Sequence, residues 1–318
     1  MPRQAPDLPT TDTLHQQYPL SEQATAQSQN NRAYLSTIIT GGCPGFIGII
    51  GPCAMTPHQY IIAKEGSQLY EATEQHPGLY IAHRTPFWKP RTDPADWHGM
   101  ETEPETVEQA FQIISGQANR YGNVAAEVGN HSHIARYAGY LVFGWNGSRN
   151  AGGHELVDNL ATAEPTLPIG IKNAMDGTVD VALQHIAHVA EIRGETGAPA
   201  VLIYRGGTEA QTPKSWERYY RDALERTEGR VIVDVAHGSS IAFNQTGGTT
   251  KTEAGQIACM ERVIELAVKC GELPIGMMVE ASAAPTPTDP VIAPEIALAS
   301  VLRLHELRMR AVQTTSKV

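Results

Sequence analysis

Ala200-Val201-Leu202-Ile203-Tyr204-Arg205-Gly206-Gly207 is an apolar run of strand length that ends on a cation and two glycines. A run of this kind, rich in Val, Leu and Ile and bounded by turn residues, reads as a strand buried on both faces. Beyond it, Pro213 to Arg226 is long enough for a helix, and Arg230 to Val233 is a second short apolar run. Strand, helix and strand in that order imply parallel neighbours joined by a right-handed crossover. The alternation extends in both directions. Upstream lie Gly45 to Ile50, Gly78 to Ala82, Asn123 to Ala126, Tyr140 to Gly144 and Leu167 to Ile171, and downstream lies Pro274 to Val279. Most are separated by helix-length segments: Pro57 to Gln75, Glu105 to Tyr121, Thr178 to Arg193, Thr252 to Cys270 and, last, Pro294 to Val312.

Eight such units predict an α/β fold, a TIM (β/α)8 barrel. Ser21 to Tyr34, entered by Pro19-Leu20-Ser21-Glu22, reads as an N-terminal helical extension whose plain role is to cover the barrel bottom. The expected organisation is an arm over 1–40, a catalytic barrel over 41–312 and a tail over 313–318. A chain of 318 residues with 41% hydrophobic and 18% charged residues can bury one large core. It holds no apolar run of membrane-spanning length, and its first 30 residues lack the basic start and apolar stretch of a secretory signal. These features predict a cytoplasmic protein. A net charge of -10 without a basic stripe argues against nucleic acid or an anionic membrane as partner. The four cysteines, Cys43, Cys53, Cys259 and Cys270, are too few and too scattered for a disulfide framework.

The residues at the strand ends are more telling. Cys53, Arg84, Glu127, Arg149, Lys172, Arg205, His237 and Glu280 lie at or just beyond successive strand ends, and in a TIM barrel those positions converge on one mouth. Cys53 in Gly51-Pro52-Cys53, His237, Glu280 and Asp289 in Thr288-Asp289-Pro290 offer one sulfur, one nitrogen and two oxygens. Thiolate disfavours magnesium and calcium, and two carboxylates disfavour a purely structural zinc, which leaves one divalent ion among manganese, iron, cobalt and zinc. Taken alone, Cys53 is an ordinary buried thiol and Asp289 an ordinary helix-entry residue; Glu280, leaving an apolar strand, is harder to explain without a partner. The loop Arg84-Thr85-Pro86-Phe87-Trp88-Lys89-Pro90-Arg91-Thr92 gathers three cations stiffened by prolines, suited to a phosphate. A solitary arginine is most simply a surface ion pair, but six cations at one barrel end fit a small anionic substrate.

In order and spacing these pieces resemble the type I 3-deoxy-7-phosphoheptulonate (DAHP) synthases over most of the chain. The matching stretches are Gly51-Pro52-Cys53, Lys89-Pro90-Arg91-Thr92, Gly147-Ser148-Arg149, Gly170-Ile171-Lys172-Asn173, Tyr204-Arg205-Gly206-Gly207, Asp234 to His237-Gly238 and Met278-Val279-Glu280. The resemblance implies condensation of phosphoenolpyruvate with erythrose 4-phosphate. It also implies metal ligation by Cys53, His237, Glu280 and Asp289. Arg84, Lys89 and Lys172 would surround the phosphoenolpyruvate carboxylate, and Arg149 and Arg205, with Ser148 adjoining, its phosphate. Pro90, Arg91 and Thr92 would join Lys89 on erythrose 4-phosphate. Lys89, Glu127 and Lys172 are the catalytic candidates, and analogy implies a homo-oligomer. Two alternatives are the same chemistry on another aldose phosphate, and a non-catalytic barrel serving as a regulatory subunit.

The chain departs from the family pattern in four places, the first being Thr56, which stands where the family often has His. After His237 the family usually carries Gly or Ala, then Asn-Ser and a lysine shortly beyond; here Gly238-Ser239-Ser240 comes next and no lysine occurs before Lys251. The stretch from Glu280 to Asp289 is short. So is the one from Lys172 to Arg205, which leaves little room for the hairpin that contributes to amino-acid feedback sites and predicts weak or absent inhibition by aromatic amino acids.

Overall fold

The computed structural model describes residues 9–55, 58–88, 99–100, 104–129, 131–146, 154–174, 178–244, 250–283 and 290–315. Its strands are β1 (Phe46–Gly51), β2 (Leu79–Arg84), β3 (Val124–Val128), β4 (Phe143–Asn146), β5 (Ile169–Lys172), β6 (Ala200–Tyr204), β7 (Val231–Asp234) and β8 (Gly276–Glu280). Each pairs in parallel with the next, and β8 pairs with β1, so the sheet is a closed barrel. Helices α1 (Thr11–Gln17) and α2 (Glu22–Ile39) precede it. Around it run α3 (Gln59–Gln75), α4 (Pro104–Tyr121), α5 (His131–Tyr137), α6 (His154–Ala163), α7 (Val179–Arg193), α8 (Pro213–Arg226), α9 (Gly238–Ala242), α10 (Glu253–Cys270) and α11 (Pro294–Thr315). No helix among the described residues is long and apolar enough to cross a membrane, and none of the four cysteines is in a disulfide.

All eight expected strands form, and β6 has the expected bounds. The others begin one to three residues later than the apolar runs suggest. They also end one or two residues later, because the last residues of several strands, such as Arg84, Lys172, Asp234 and Glu280, are charged and an apolar pattern stops short of them. The largest correction is at the fourth strand. Tyr140 lies in a 3-10 turn, Ala138–Tyr140, and its hydroxyl donates to the Tyr18 carbonyl at 2.7 Å below the barrel. Helices α5 and α6, of 7 and 10 residues, are too short to stand out as helix-length windows in the sequence.

Two apolar clusters divide the core. The outer one lies between strands and surrounding helices and includes Ile50, Ile81, Ile169, Ile171, Val233 and Val279. The inner one fills the barrel with Ile47, Ile49, Ala82, Ala125, Phe143, Trp145, Val201, Ile203, Ile232 and Met278. Adjacent strand residues fall into opposite clusters, as a two-residue period requires. Leu35, Ile38 and Ile39 of α2 join the inner cluster, so this helix closes the barrel floor. Its Ser21 cap accepts from the Ala24 N–H at 3.1 Å. Buried Arg32 donates to the Leu141 and Ala138 carbonyls at 2.8 and 2.9 Å and pairs with Glu164 at 3.0 Å.

At the opposite rim, Gly51 is fixed by close approach: a Cβ there would stand 2.2 Å from the Arg84 carbonyl oxygen. Gly51→Ala must therefore push β1 away from β2 where both deliver site residues. The expected loss is about 3 kcal/mol or more, measured as the urea unfolding midpoint; an unchanged midpoint would refute the tight approach.

Candidate functional site

The alternation that fills the barrel also builds its mouth. Ala82 and Ala125 face inward, so Arg84 and Glu127, two residues further on, do too. By the same parity β7 turns Asp234 inward after Ile232, β8 turns Glu280 inward after Met278, and β5 turns Lys172 inward beside outward Ile171. Trp145 is the corresponding residue of β4. The top layer of the barrel interior is thus polar while the layers beneath are apolar. Arg84, Lys172, Asp234 and Glu280 are all at most 1% exposed, so each charge needs an answering group.

Those answers are present. Arg84 donates from Nε to the Pro52 carbonyl at 3.1 Å and from Nη2 to the Cys53 carbonyl at 3.3 Å and Glu280 Oε1 at 2.8 Å. Lys172 Nζ lies 2.9 Å from Asp234 Oδ2, a charge pairing without the angle of a hydrogen bond. Asp234 also takes the His237 ring, with Nδ1 at 2.8 Å from Oδ2. Burial works to raise the Asp234 carboxyl, yet the imidazole and the Lys172 ammonium overcome it and hold the group well below the usual carboxylate range. Burial in turn lowers the His237 pKa against the upward pull of Asp234. Against these charges packs Trp145, whose ring centre is 5.6 Å from the Arg84 guanidinium carbon and 6.0 Å from Lys172 Nζ. Its indole N–H donates to Glu127 Oε2 at 3.3 Å.

His237 directly precedes α9, and its Nε2 lies 3.0 Å from Glu280 Oε1. One donor atom each from Cys53, His237 and Glu280 lie within 4.8 Å of one another. Metal–ligand bonds of about 2.0–2.3 Å set neighbouring donors up to about 4.5 Å apart, so the three suit a single transition ion. The ring orientation suits it as well. With Nδ1–H donating to Asp234, the ring presents Nε2 toward Glu280, the orientation in which that nitrogen can ligate a cation.

Of the residues expected from sequence, Cys53, Arg84, Glu127, Lys172, Arg205, His237 and Glu280 lie at this end of the barrel. Arg205 follows β6, 4% exposed, and its backbone N–H donates to Asn173 Oδ1 at 2.9 Å. Lys89, Pro90, Arg91, Thr92, Ser148, Arg149 and Asp289 fall outside the described residues. The family model described as the DAHP synthetase I family matches residues 17–301.

The chain belongs to the DAHP synthetase I family. It is 26% identical over 306 residues to the Tyr-sensitive phospho-2-dehydro-3-deoxyheptonate aldolase of Escherichia coli, covering 86% of this chain and 81% of that one. The tyrosine-inhibited enzyme of that name from Schizosaccharomyces pombe is 27% identical over 256 residues, 71% of this chain and 68% of its own. A solved phospho-2-dehydro-3-deoxyheptonate aldolase from Francisella tularensis superposes with a TM-score of 0.77 at 20% identity, over 96% of this chain and 98% of that one, which establishes the fold. Within this DAHP synthetase I chain, four contributors carry little mark in the sequence. Asp234 stands out there only as a neighbour of His237. Trp145 falls beyond the fourth strand when that strand is placed from Tyr140 to Gly144. Gln256, inside α10, holds Glu280 by its backbone, accepting its N–H at 2.9 Å and donating to its carbonyl at 3.2 Å. Lys251 looks too far from His237 to matter, yet its ammonium lies 2.6 Å from Glu280 Oε2.

Proposed function

We propose that this chain condenses phosphoenolpyruvate with erythrose 4-phosphate to give DAHP and phosphate, the first step of the shikimate route. The observation that carries this is the family match over 17–301, whose curated relatives are named phospho-2-dehydro-3-deoxyheptonate aldolases. The buried cations at one barrel end support it. Both substrates are anions that repel, and fixed positive groups that hold them together lower the barrier through positioning and charge stabilisation. Arg84, Lys172 and Arg205, with Lys89, Ser148 and Arg149, are the proposed phosphoenolpyruvate site. Lys89, Pro90, Arg91 and Thr92 are the proposed aldose-phosphate loop.

In this scheme C3 of phosphoenolpyruvate bonds to the aldehyde carbon, water adds at C2, and phosphate departs. Glu127, steadied by Trp145, orients that water, and Lys89 delivers a proton to the new alkoxide. Cys53, His237 and Glu280, with Asp289 as the proposed fourth ligand, would hold a divalent ion of manganese, iron, cobalt or zinc, which when bound would supply Lewis-acid polarisation of the carbonyl. The proposal extends to a cytoplasmic homo-oligomer without a nucleic-acid or membrane partner, built as an arm (1–40), a catalytic barrel (41–312) and a tail (313–318). The test is purified protein with Mn2+, phosphoenolpyruvate and erythrose 4-phosphate. Phosphate release and loss of the enol absorbance should both require the aldose phosphate; their absence would defeat the proposal. Substituting other aldose phosphates should slow both signals. Ser239 lends no support to a changed aldose, because its fully buried hydroxyl accepts from the Trp216 indole at 2.7 Å.

Between β5 and β6 the described residues hold α7 and a 3-10 turn, Gly194–Thr196, with no additional strand. Inhibition by phenylalanine, tyrosine or tryptophan is therefore expected to be absent or weak at millimolar concentrations, unlike the relatives named for it. A dose–response series checks this, and strong inhibition by any of the three would refute it.

A further inference from the structure

Two of the three clustered donors already have a cation against them. Lys251 Nζ lies 2.6 Å from Glu280 Oε2 and 3.6 Å from Cys53 Sγ. This lysine is 13% exposed in its side chain, and its backbone is held on both sides. It immediately precedes Thr252, the N-cap of α10, whose hydroxyl accepts from the Gly255 N–H at 3.0 Å. Before it, the Thr250 carbonyl accepts from Asn244 Nδ2 at 3.0 Å. One turn into α10, Gln256 grips the Glu280 backbone through both its N–H and its carbonyl. The start of the helix and the end of β8 are thus pinned together, which puts the Lys251 backbone within side-chain reach of Glu280.

Each carboxylate oxygen of Glu280 already has a neighbour. Oε1 accepts from Arg84 and faces the His237 ring, while Oε2 takes Lys251. A divalent ion seated among Cys53, His237 and Glu280 would meet the ammonium within a few ångströms, where like charges in a buried site repel strongly. The ion and the ammonium would thus compete for the negative charge of Glu280 and Cys53. We propose that Lys251 is a tethered competitor for the metal. Its ammonium satisfies Glu280 and Cys53 while no ion is bound and withdraws when one enters, so this residue sets how firmly the chain retains its ion. The inference rests on metal ligation by Cys53, His237 and Glu280 and adds to it a residue that tunes affinity without ligating.

The 318-residue chain, its Lys251→Met form and its Lys251→Gln form would be titrated with Mn2+ against a competing chelator, with melting temperatures taken with and without the ion. Both variants should bind Mn2+ about 10- to 100-fold more tightly than the parent. Their metal-free forms should melt lower, because Glu280 loses its counter-charge, and added Mn2+ should raise their melting temperatures more than it raises the parent's. Lys251→Arg, which keeps the charge, should show no gain in affinity. Equal or weaker Mn2+ binding by the charge-removing variants, with the parent still binding, overturns this inference alone. If parent and variants all fail to bind Mn2+, Co2+ and Zn2+, metal ligation at this site falls and the inference with it. Should Lys251→Met fail to fold, Lys251→Gln carries the comparison, since its amide can still hydrogen-bond Glu280.

Discussion

Arg84→Met is expected to remove turnover and to lower stability by about 3–5 kcal/mol. The guanidinium is 1% exposed and spans the Pro52 and Cys53 carbonyls and Glu280 Oε1. Methionine fills much of the space but leaves two buried carbonyls and a fully buried carboxylate short of a donor, and breaking a buried ion pair from one side is far more damaging than replacing the pair. It also loosens the loop that carries Cys53. Arg84→Lys should recover part of the stability, since one ammonium cannot bridge all three acceptors with the geometry of a planar fork. Urea unfolding and phosphate release read the two effects separately. A methionine variant within about 1 kcal/mol of the parent would show that Lys251 suffices to compensate Glu280 without Arg84.

Cys53→Ala should separate the chemistry from the fold. The thiol is 2% exposed, but the Cys53 carbonyl that anchors Arg84 belongs to the backbone and survives the change. Stability should fall by only about 1–2 kcal/mol, the usual result of trimming a small buried side chain. Metal content, by contrast, should drop from near one ion per chain to a small fraction, with turnover down more than about a hundredfold. Elemental analysis of protein dialysed against a weak chelator gives the first number and phosphate release the second. Parental values for both would remove Cys53 from the site.

The fold is largely legible in the sequence because each strand is an apolar run facing apolar layers on both sides, and the helices between most of them are long. Val201 and Ile203 pack inside the barrel while Leu202 packs outside, and both environments select the same kind of residue. The candidate site is legible where a reactive side chain closes or directly succeeds a strand, as at Arg84, Lys172 and Glu280. It is not legible where the contribution depends on parity or on a distant loop. Trp145 looks like any core aromatic until β4 is placed to the residue. Gln256 acts on a backbone, which leaves no compositional mark. Lys251 reaches Glu280 because α10 is pinned to β8, a contact between elements that no local spacing discloses.

The charged ring at the barrel mouth is a single residue thick, and directly beside three of its members is an outward-facing aliphatic: Val279 precedes Glu280, Ile171 precedes Lys172, Val233 precedes Asp234. Inserting or deleting one residue within β5, β7 or β8 exchanges odd for even, swinging the acid or base toward the helices and an aliphatic into the mouth. Proper closure of the sheet and competence of the pocket are thus the same event, and a mispaired barrel presents an oily rim in place of a charged one.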